Sequence, residues 1–167
     1  MDALEAIFTR RSIRRYTDQP VGSEALKTLL EAGMNAPSAN NRQPWHFVVV
    51  DARDKLEAIT HVHPYSQMLK QAPIAIVVCG DTTLSESFWV QDCSAATENI
   101  LVAARALGLG TVWLGVYPRE DRTADIAGLF QLPPEIRPLC IIAVGWPAEE
   151  KGRVDRYSVE RVHDNAW

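Results

Sequence analysis

The chain has 167 residues, 47% of them hydrophobic and 23% charged, the proportions of one ordinary globular domain able to remove roughly 70% of its unfolded surface from water. A formal net charge of −4 argues against a nucleic-acid binder, whose surface normally carries a basic field, and no apolar run approaches the ~20 residues of a membrane span. Cys79, Cys93 and Cys140 lie in no C-x-x-C pair and read as buried thiols of a reducing compartment; with an acidic, amphipathic N-terminus unlike a signal peptide, they make the cytoplasm the expected location.

In chain order, Ala3–Arg10 predicts a short helix with Leu4, Ile7 and Phe8 on one face. Ser23 is placed to N-cap a second helix, Glu24–Met34, whose Leu26, Leu29, Leu30 and Met34 form a buried stripe. Ala36–Pro44, rich in Pro, Asn and Ser, is a loop. His46–Asp51 is a strand whose near-continuous apolar character predicts burial on both faces. Asp54–Thr60 and Tyr65–Gln71 predict short helices, and Pro73–Gly80 a second strand. Ser87–Leu107 is the longest helix. Trp89, Cys93, Ala96, Ile100, Ala103 and Leu107 recur along it at helical spacing, and small residues most of the way round predict close packing on several sides.

Gly108 and Gly110 stop that helix. Thr111–Tyr117 is a third strand, Arg119–Gly128 a helix and Pro138–Gly145 a fourth strand. From Pro147 the chain is polar and aperiodic. The expectation is a single domain over 1–167 in which 147–167 is an extended tail with at most a short helix. Strands alternating with helices give a layered α/β or α+β domain. Four strands around one small-residue helix leave helical surface that a partner subunit would cover.

Two segments carry chemistry. Arg10-Arg11-Ser12-Ile13-Arg14-Arg15 places four guanidinium groups in six residues, which repel one another unless an anion or carboxylates sit among them. If the run is extended, Arg10, Ser12 and Arg14 share a face; if helical, Arg10 and Arg14 still do. Either way two planar forks converge, suited to a phosphate, although a solvated basic helix end would look the same. Pro37-Ser38-Ala39-Asn40-Asn41-Arg42-Gln43-Pro44 carries the amides of Asn41 and Gln43 on a course set by two prolines. Those amides can donate and accept, as a flavin ring edge requires, or can simply build a surface turn.

RRSIRRY followed by PSANNRQPWHF resembles the nitroreductase family. QDCSAATENILVAARALGLGTVWLGVYP resembles that family's central helix and the strand after it. IIAVGWPAEEKGR resembles its last core strand and phosphate-binding segment, and RYSVERVHDNAW the tail of its short members. The resemblance covers nearly the whole chain. It implies an α+β three-layer sandwich: a mixed central sheet of about four to five strands flanked by helices, with the long central helix at a dimer interface. It implies a homodimer with FMN at the subunit interface. The activity implied is an FMN-dependent oxidoreductase, with ping-pong hydride transfer from NAD(P)H to an electron-poor acceptor such as a nitroaromatic or a quinone. No side chain is then assigned as catalytic, because the flavin carries the chemistry.

Residue by residue, the resemblance implies that Arg10, Arg11, Ser12 and Arg14 hold the phosphate and ribityl chain. Pro37, Ser38 and Asn41 would lie along the ring and ribityl from the other subunit, with Gln43 a weaker ring contact. Leu114 and Gly115 would place backbone near the reactive flavin edge, and Lys151 and Arg153 would return to the phosphate, with Arg156 a rival for the role of Arg153. The stretch from Asp81 to Phe88 has no room for the long inserted helices of larger members, so their substrates do not transfer. The scaffold also admits a specialised flavoenzyme (a dehydrogenase, dehalogenase or flavin-modifying enzyme) and a non-catalytic flavin-binding or sensing module.

Several residues stay outside the site. His61 and His63 lack a third metal ligand of suitable spacing. His46 reads as a hydrogen-bonded residue at the core edge, and Trp89, Trp113 and Trp146 as packing residues. Asp92 and Glu98 are too far apart on their helix to act as a carboxylate pair. Cys93 has no neighbouring base. Asp121-Arg122 and Asp155-Arg156 read as surface ion pairs.

Overall fold

The computed structural model describes residues 1–167. Its helices are α1 (Ala3–Thr9), α2 (Ser23–Met34), α3 (Arg53–Val62), α4 (Trp89–Ala106) and α5 (Glu120–Phe130). Its strands are β1 (Trp45–Val50), β2 (Ile74–Asp81), β3 (Gly110–Gly115) and β4 (Ile136–Gly145). Short 3-10 turns cover Ala39–Asn41, Gln67–Lys70 and Val159–Arg161. The sheet order is β1-β2-β4-β3, and every strand pair is antiparallel. Mixed character is confined to its β3 edge, where Ser12 forms a single parallel bridge to Thr111.

Side-chain alternation builds the layers. In β2, Ile74, Ile76 and Val78 point to one face and Ala75, Val77 and Cys79 to the other; in β4, Cys140, Ile142 and Val144 oppose Ile141 and Ala143. The first face packs on Trp89, Cys93, Ala96, Ile100 and Ala104 of α4 and on Leu29 of α2. The second packs on Leu56 and Ile59 of α3 and on Ile126 of α5. Two helical layers therefore enclose the sheet. α4 lies close to it because Gly80 has no side chain: a Cβ there would sit 2.6 Å from the Trp89 ring. All three cysteines are buried and free. Burial pushes Cys79 and Cys140 up to about 12 and raises Cys93 as well.

Three local expectations change. Ser23 is the first residue of α2, not its cap; Gly22 takes the extended cap position, and no side chain bonds there. β1 is not buried on both faces. It is an edge strand with His46 exposed and Val49 36% exposed, so His46 is not part of the core rim. The doubly buried strands are β2 and β4, the two in the middle. Tyr65–Gln71 forms only the Gln67–Lys70 turn instead of a longer helix. From Pro147 to Ser158 the chain is irregular or extended, with one short turn at Val159–Arg161. No helix is long and apolar enough to cross a membrane.

Candidate functional site

The arginine run is extended, and the sheet edge makes it so. Arg10 leaves the helical region (φ −61°, ψ 127°) immediately after α1. Ile13 N–H then donates to Thr111 O at 2.9 Å, and Ile13 itself is buried against β3. Gly110 permits this approach, since a Cβ there would lie 2.8 Å from Ile13. Tyr16 closes the segment: its hydroxyl donates to Ile13 O at 2.7 Å, and its main chain bridges Pro147. With Ile13 turned inward, alternation turns Ser12 and Arg14 outward.

The outward side chains line a pocket of about 250 Å³ formed by Arg10, Arg11, Ser12, Arg14, Lys151 and Arg156. Five of those six residues are cations and none is an acid, so their mutual repulsion is relieved by an anion seated among them. Charges behind the pocket hold the cations in place. Arg10 Nε lies 3.3 Å from Glu98 Oε1. Arg11 donates to Gly152 O at 2.6 Å, and Lys151 Nζ donates to Ser12 O at 2.6 Å. Glu149 takes the Arg14 N–H at 2.6 Å and lies 3.3 Å from Lys151 Nζ; these contacts hold its carboxyl below the usual carboxylate range. Arg153 is placed differently. Its guanidinium stands 4.7 Å above the Phe8 ring, in an adjoining pocket of about 450 Å³ shared with Arg10, Arg11 and Arg156.

Arg14 also lines a second pocket, of about 480 Å³, with His63, Tyr65, Trp113, Leu114, Gly115 and Arg122 among its walls. The basic pocket and the expected ring-edge residues Leu114 and Gly115 therefore meet at Arg14. Gly115 O accepts from His63 Nε2 at 2.9 Å and from Arg122 at 3.4 Å. The Arg122 guanidinium covers the Tyr65 ring at 5.3 Å, while Asp121 pairs with Arg119 at 3.4 Å and not with Arg122.

The Pro37–Gln43 loop is built as a rigid tongue. Asn40, Asn41 and Gln43 all have positive φ (53°, 54° and 49°), a region that asparagine tolerates better than most residues. Gln43 N–H donates to Ser38 Oγ at 3.0 Å, and Gln43 Nε2 to Asn41 Oδ1 at 3.1 Å. The anchor is Asp92, buried in the first turn of α4. Its two oxygens accept Ala39 N–H and Ser85 Oγ–H, each at 2.9 Å. No residue of this tongue lines the basic pocket of its own chain. The expected site residues thus fall into two halves: Arg10, Arg11, Ser12, Arg14, Leu114, Gly115 and Lys151 together, and Pro37, Ser38, Asn41 and Gln43 apart.

Sequence reasoning missed four supports: Asp92, His63, Arg122 and Glu149. In sequence Asp92 offers only a carboxylate pair with Glu98, and His63 only a metal ligand with His61. Their partners, Ala39 and Gly115, are 53 and 52 residues away, so no local pattern announces them. Glu149 stands beside Lys151 in sequence, and that proximity was the one available signal.

Comparison with known proteins finds relatives over nearly the whole chain. The family model described as the nitroreductase family matches residues 7–146. A Methanothermobacter thermautotrophicus protein, provisionally named an NADH dehydrogenase/NAD(P)H nitroreductase, is 52% identical over 100% of this chain and 88% of its own. The crystal structure of a similarly named Parabacteroides distasonis protein superposes with a TM-score of 0.97 at 44% identity, covering 99% of this chain and 98% of that one. A Desulfovibrio desulfuricans structure, provisionally named a nitroreductase and crystallised in complex with FMN, superposes with a TM-score of 0.86 at 34% identity, covering 100% of this chain and 98% of that one.

Proposed function

The chain belongs to the nitroreductase family, and from that premise we propose that it is a homodimeric, FMN-dependent oxidoreductase that takes hydride from NAD(P)H and delivers it to an electron-poor acceptor such as a nitroaromatic or a quinone. The observation that carries the reading is the pocket of Arg10, Arg11, Ser12, Arg14, Lys151 and Arg156: five cations, one hydroxyl and no acid fit a phosphate monoester. Its continuity through Arg14 with the Leu114–Gly115 pocket fits a ligand that carries a flat ring at the other end of a short chain. The relative crystallised with FMN supports the same ligand.

When bound, FMN would supply the reversible hydride chemistry that a ping-pong exchange between NAD(P)H and the acceptor requires. The protein's part is binding, orientation and electrostatics. Arg10, Arg11 and Lys151 hold the phosphate with Ser12, and Arg156 or Arg153 completes the ring of cations. Arg14 spans from the phosphate toward the ring pocket. Gly115 offers backbone to the ring edge, where a fixed N–H stabilises developing negative charge. Pro37, Ser38, Asn41 and Gln43 would complete the partner's site, which accounts for a rigid tongue that lines no part of its own chain's basic pocket.

An absorption spectrum of the purified protein, taken with its mass in solution, tests the cofactor and the assembly together. The expected result is a flavin spectrum at one FMN per chain on a particle of twice the chain mass. Steady oxidation of NADH or NADPH with menadione should then follow. A colourless protein that FMN cannot reconstitute overturns the reading, and a yellow protein inert to both nicotinamides overturns the enzymatic part.

A further inference from the structure

Arg122 is a cation that lacks an acid partner. It is the third residue of α5, and the first turn of a helix favours carboxylates, so its charge works against the helix dipole. Its neighbour Asp121 pairs with Arg119 at 3.4 Å, and no carboxylate comes within salt-bridge distance of Arg122. The residue is half-buried, which raises the cost of an uncompensated charge. The guanidinium is nonetheless held in place. Nη1 donates to Gly115 O at 3.4 Å, and the central carbon stands 5.3 Å from the centre of the Tyr65 ring. Most of its N–H donors stay free to meet an oxyanion.

Arg122 borders the pocket of about 480 Å³ that it shares with Arg14, Tyr65, Trp113, Leu114 and Gly115. Two of the ten lining residues are arginines and none is an acid. Arg14 also lines the basic pocket, where a phosphate would engage it; Arg122 does not line that pocket. An oxidised flavin ring is neutral, so a cofactor whose phosphate sits in the basic pocket leaves Arg122 without an anion. Tyr65 beside it is 69% exposed, so this corner is the rim of the pocket, open to a second ligand.

We infer that Arg122 is a specificity-determining residue, which takes an oxyanion of the substrate that comes to the flavin: a carboxylate on the acceptor or a phosphate on the nicotinamide donor. The inference rests on the FMN reading above and deepens it, because it gives the site a preference for an anionic substrate over a neutral one of similar shape. A guanidinium steadied by an aromatic face loses less freedom on binding an oxyanion than a free side chain does, and its fork can bond two oxygens at once.

Matched substrates test this in the FMN-loaded protein. As acceptors, para-nitrobenzoate and para-nitrobenzamide differ in charge alone at similar size. As donors, NADH and N-benzyl-dihydronicotinamide share the reacting ring, and only NADH carries phosphates. In a ping-pong cycle kcat/KM for one substrate does not depend on the other, so each is read separately. Arg122→Gln should keep FMN stoichiometry and melting temperature while kcat/KM falls about tenfold, through KM, for para-nitrobenzoate or for NADH. The two neutral substrates should stay within about twofold of wild type. Whichever anion loses shows where the oxyanion comes from. No fall for either anion, or an equal fall for the neutral substrates, overturns the inference; the second pattern is that of a charge acting on the flavin itself. If Arg122→Gln does not fold, Arg122→Met, which keeps an apolar stem beside Tyr65, carries the same comparison. A wild type that binds no FMN is a separate failure, that of the cofactor reading. Calorimetric titration of benzoate and benzamide into wild type and Arg122→Gln then decides for Arg122: a selective loss of benzoate binding supports it, and no selective loss overturns it.

Discussion

Replacing Arg10 with Ala separates anchoring of the cofactor from stability of the fold. In the structure Arg10 Nε is engaged by Glu98 at 3.3 Å, while its side chain lines the basic pocket. A hydrogen bond to a charged group contributes about 1.5–3 kcal/mol, which corresponds to a rise in FMN Kd of roughly 10- to 150-fold. The cost to the fold is smaller. Glu98 is 51% exposed, so water takes over its solvation, and loss of the pair should cost less than about 1 kcal/mol, or roughly 2–4 °C of Tm. Fluorescence titration with FMN and with riboflavin completes the test, because riboflavin lacks the phosphate. Riboflavin affinity should be the same in wild type and Arg10→Ala. Glu98→Gln, which leaves the guanidinium in place, should bind FMN within a few-fold of wild type. Equal losses for FMN and riboflavin, or an unchanged FMN Kd, would refute the phosphate assignment.

Arg156 lines the basic pocket while Arg153 stacks on Phe8, so Arg156→Ala should weaken FMN more than Arg153→Ala in the same titration; the reverse order would show that dimer closure re-aims Arg153. Asp92→Ala strands the half-buried Ala39 N–H and the buried Ser85 hydroxyl, a cost of about 1–3 kcal/mol, or roughly 3–10 °C of Tm by calorimetry, together with weaker FMN binding from a loosened tongue. An unchanged melting curve would exclude Asp92 as the anchor. The buried thiols should resist alkylation in the native state. Their folded pKa values lie above the ordinary 9.0, with Cys79 and Cys140 at about 12, so their contribution to stability is complete below pH 9 and is lost as pH rises toward 12. A denaturation series across that range should show the fall. Glu149 acts on the acid side. Its depressed pKa adds stability above the ordinary carboxylate range that disappears as pH drops through the folded value, and Glu149→Gln should flatten that part of the profile.

The segments of the candidate site were legible in the sequence as clusters of residue types, because such clustering is short-range. The clustering of like charges marked the arginine run as suited to an anion whether extended or helical, and the bond of Ile13 to Thr111 made it extended. Gly108, with φ of 81°, stops α4 where a helix end was expected. Lys151 lines the same basic pocket as Arg10–Arg14 and reaches Ser12 across 139 residues of chain. The choice between Arg153 and Arg156 was open in sequence because the tail has no periodicity to say which way each residue faces.

Sequence alone determined the order of the main helices and strands and the residue classes that suit an anion, since these follow from side-chain spacing and local clustering. Tertiary structure decided which apolar strand is an edge. A continuous apolar run looks the same whether one sheet neighbour or two will pair with it, and β1 has one. Tertiary structure also decided that Asp92 anchors a loop and that His63 holds Gly115. Those bonds join residues more than fifty positions apart, and they exist only after α4 and α3 have been packed against the sheet by the burial of their apolar faces. The separation of the Pro37–Gln43 tongue from its own chain's basic pocket belongs to the same class of fact. It is a property of three-dimensional distance, and it leads to the proposal that each site is shared by two copies of the chain.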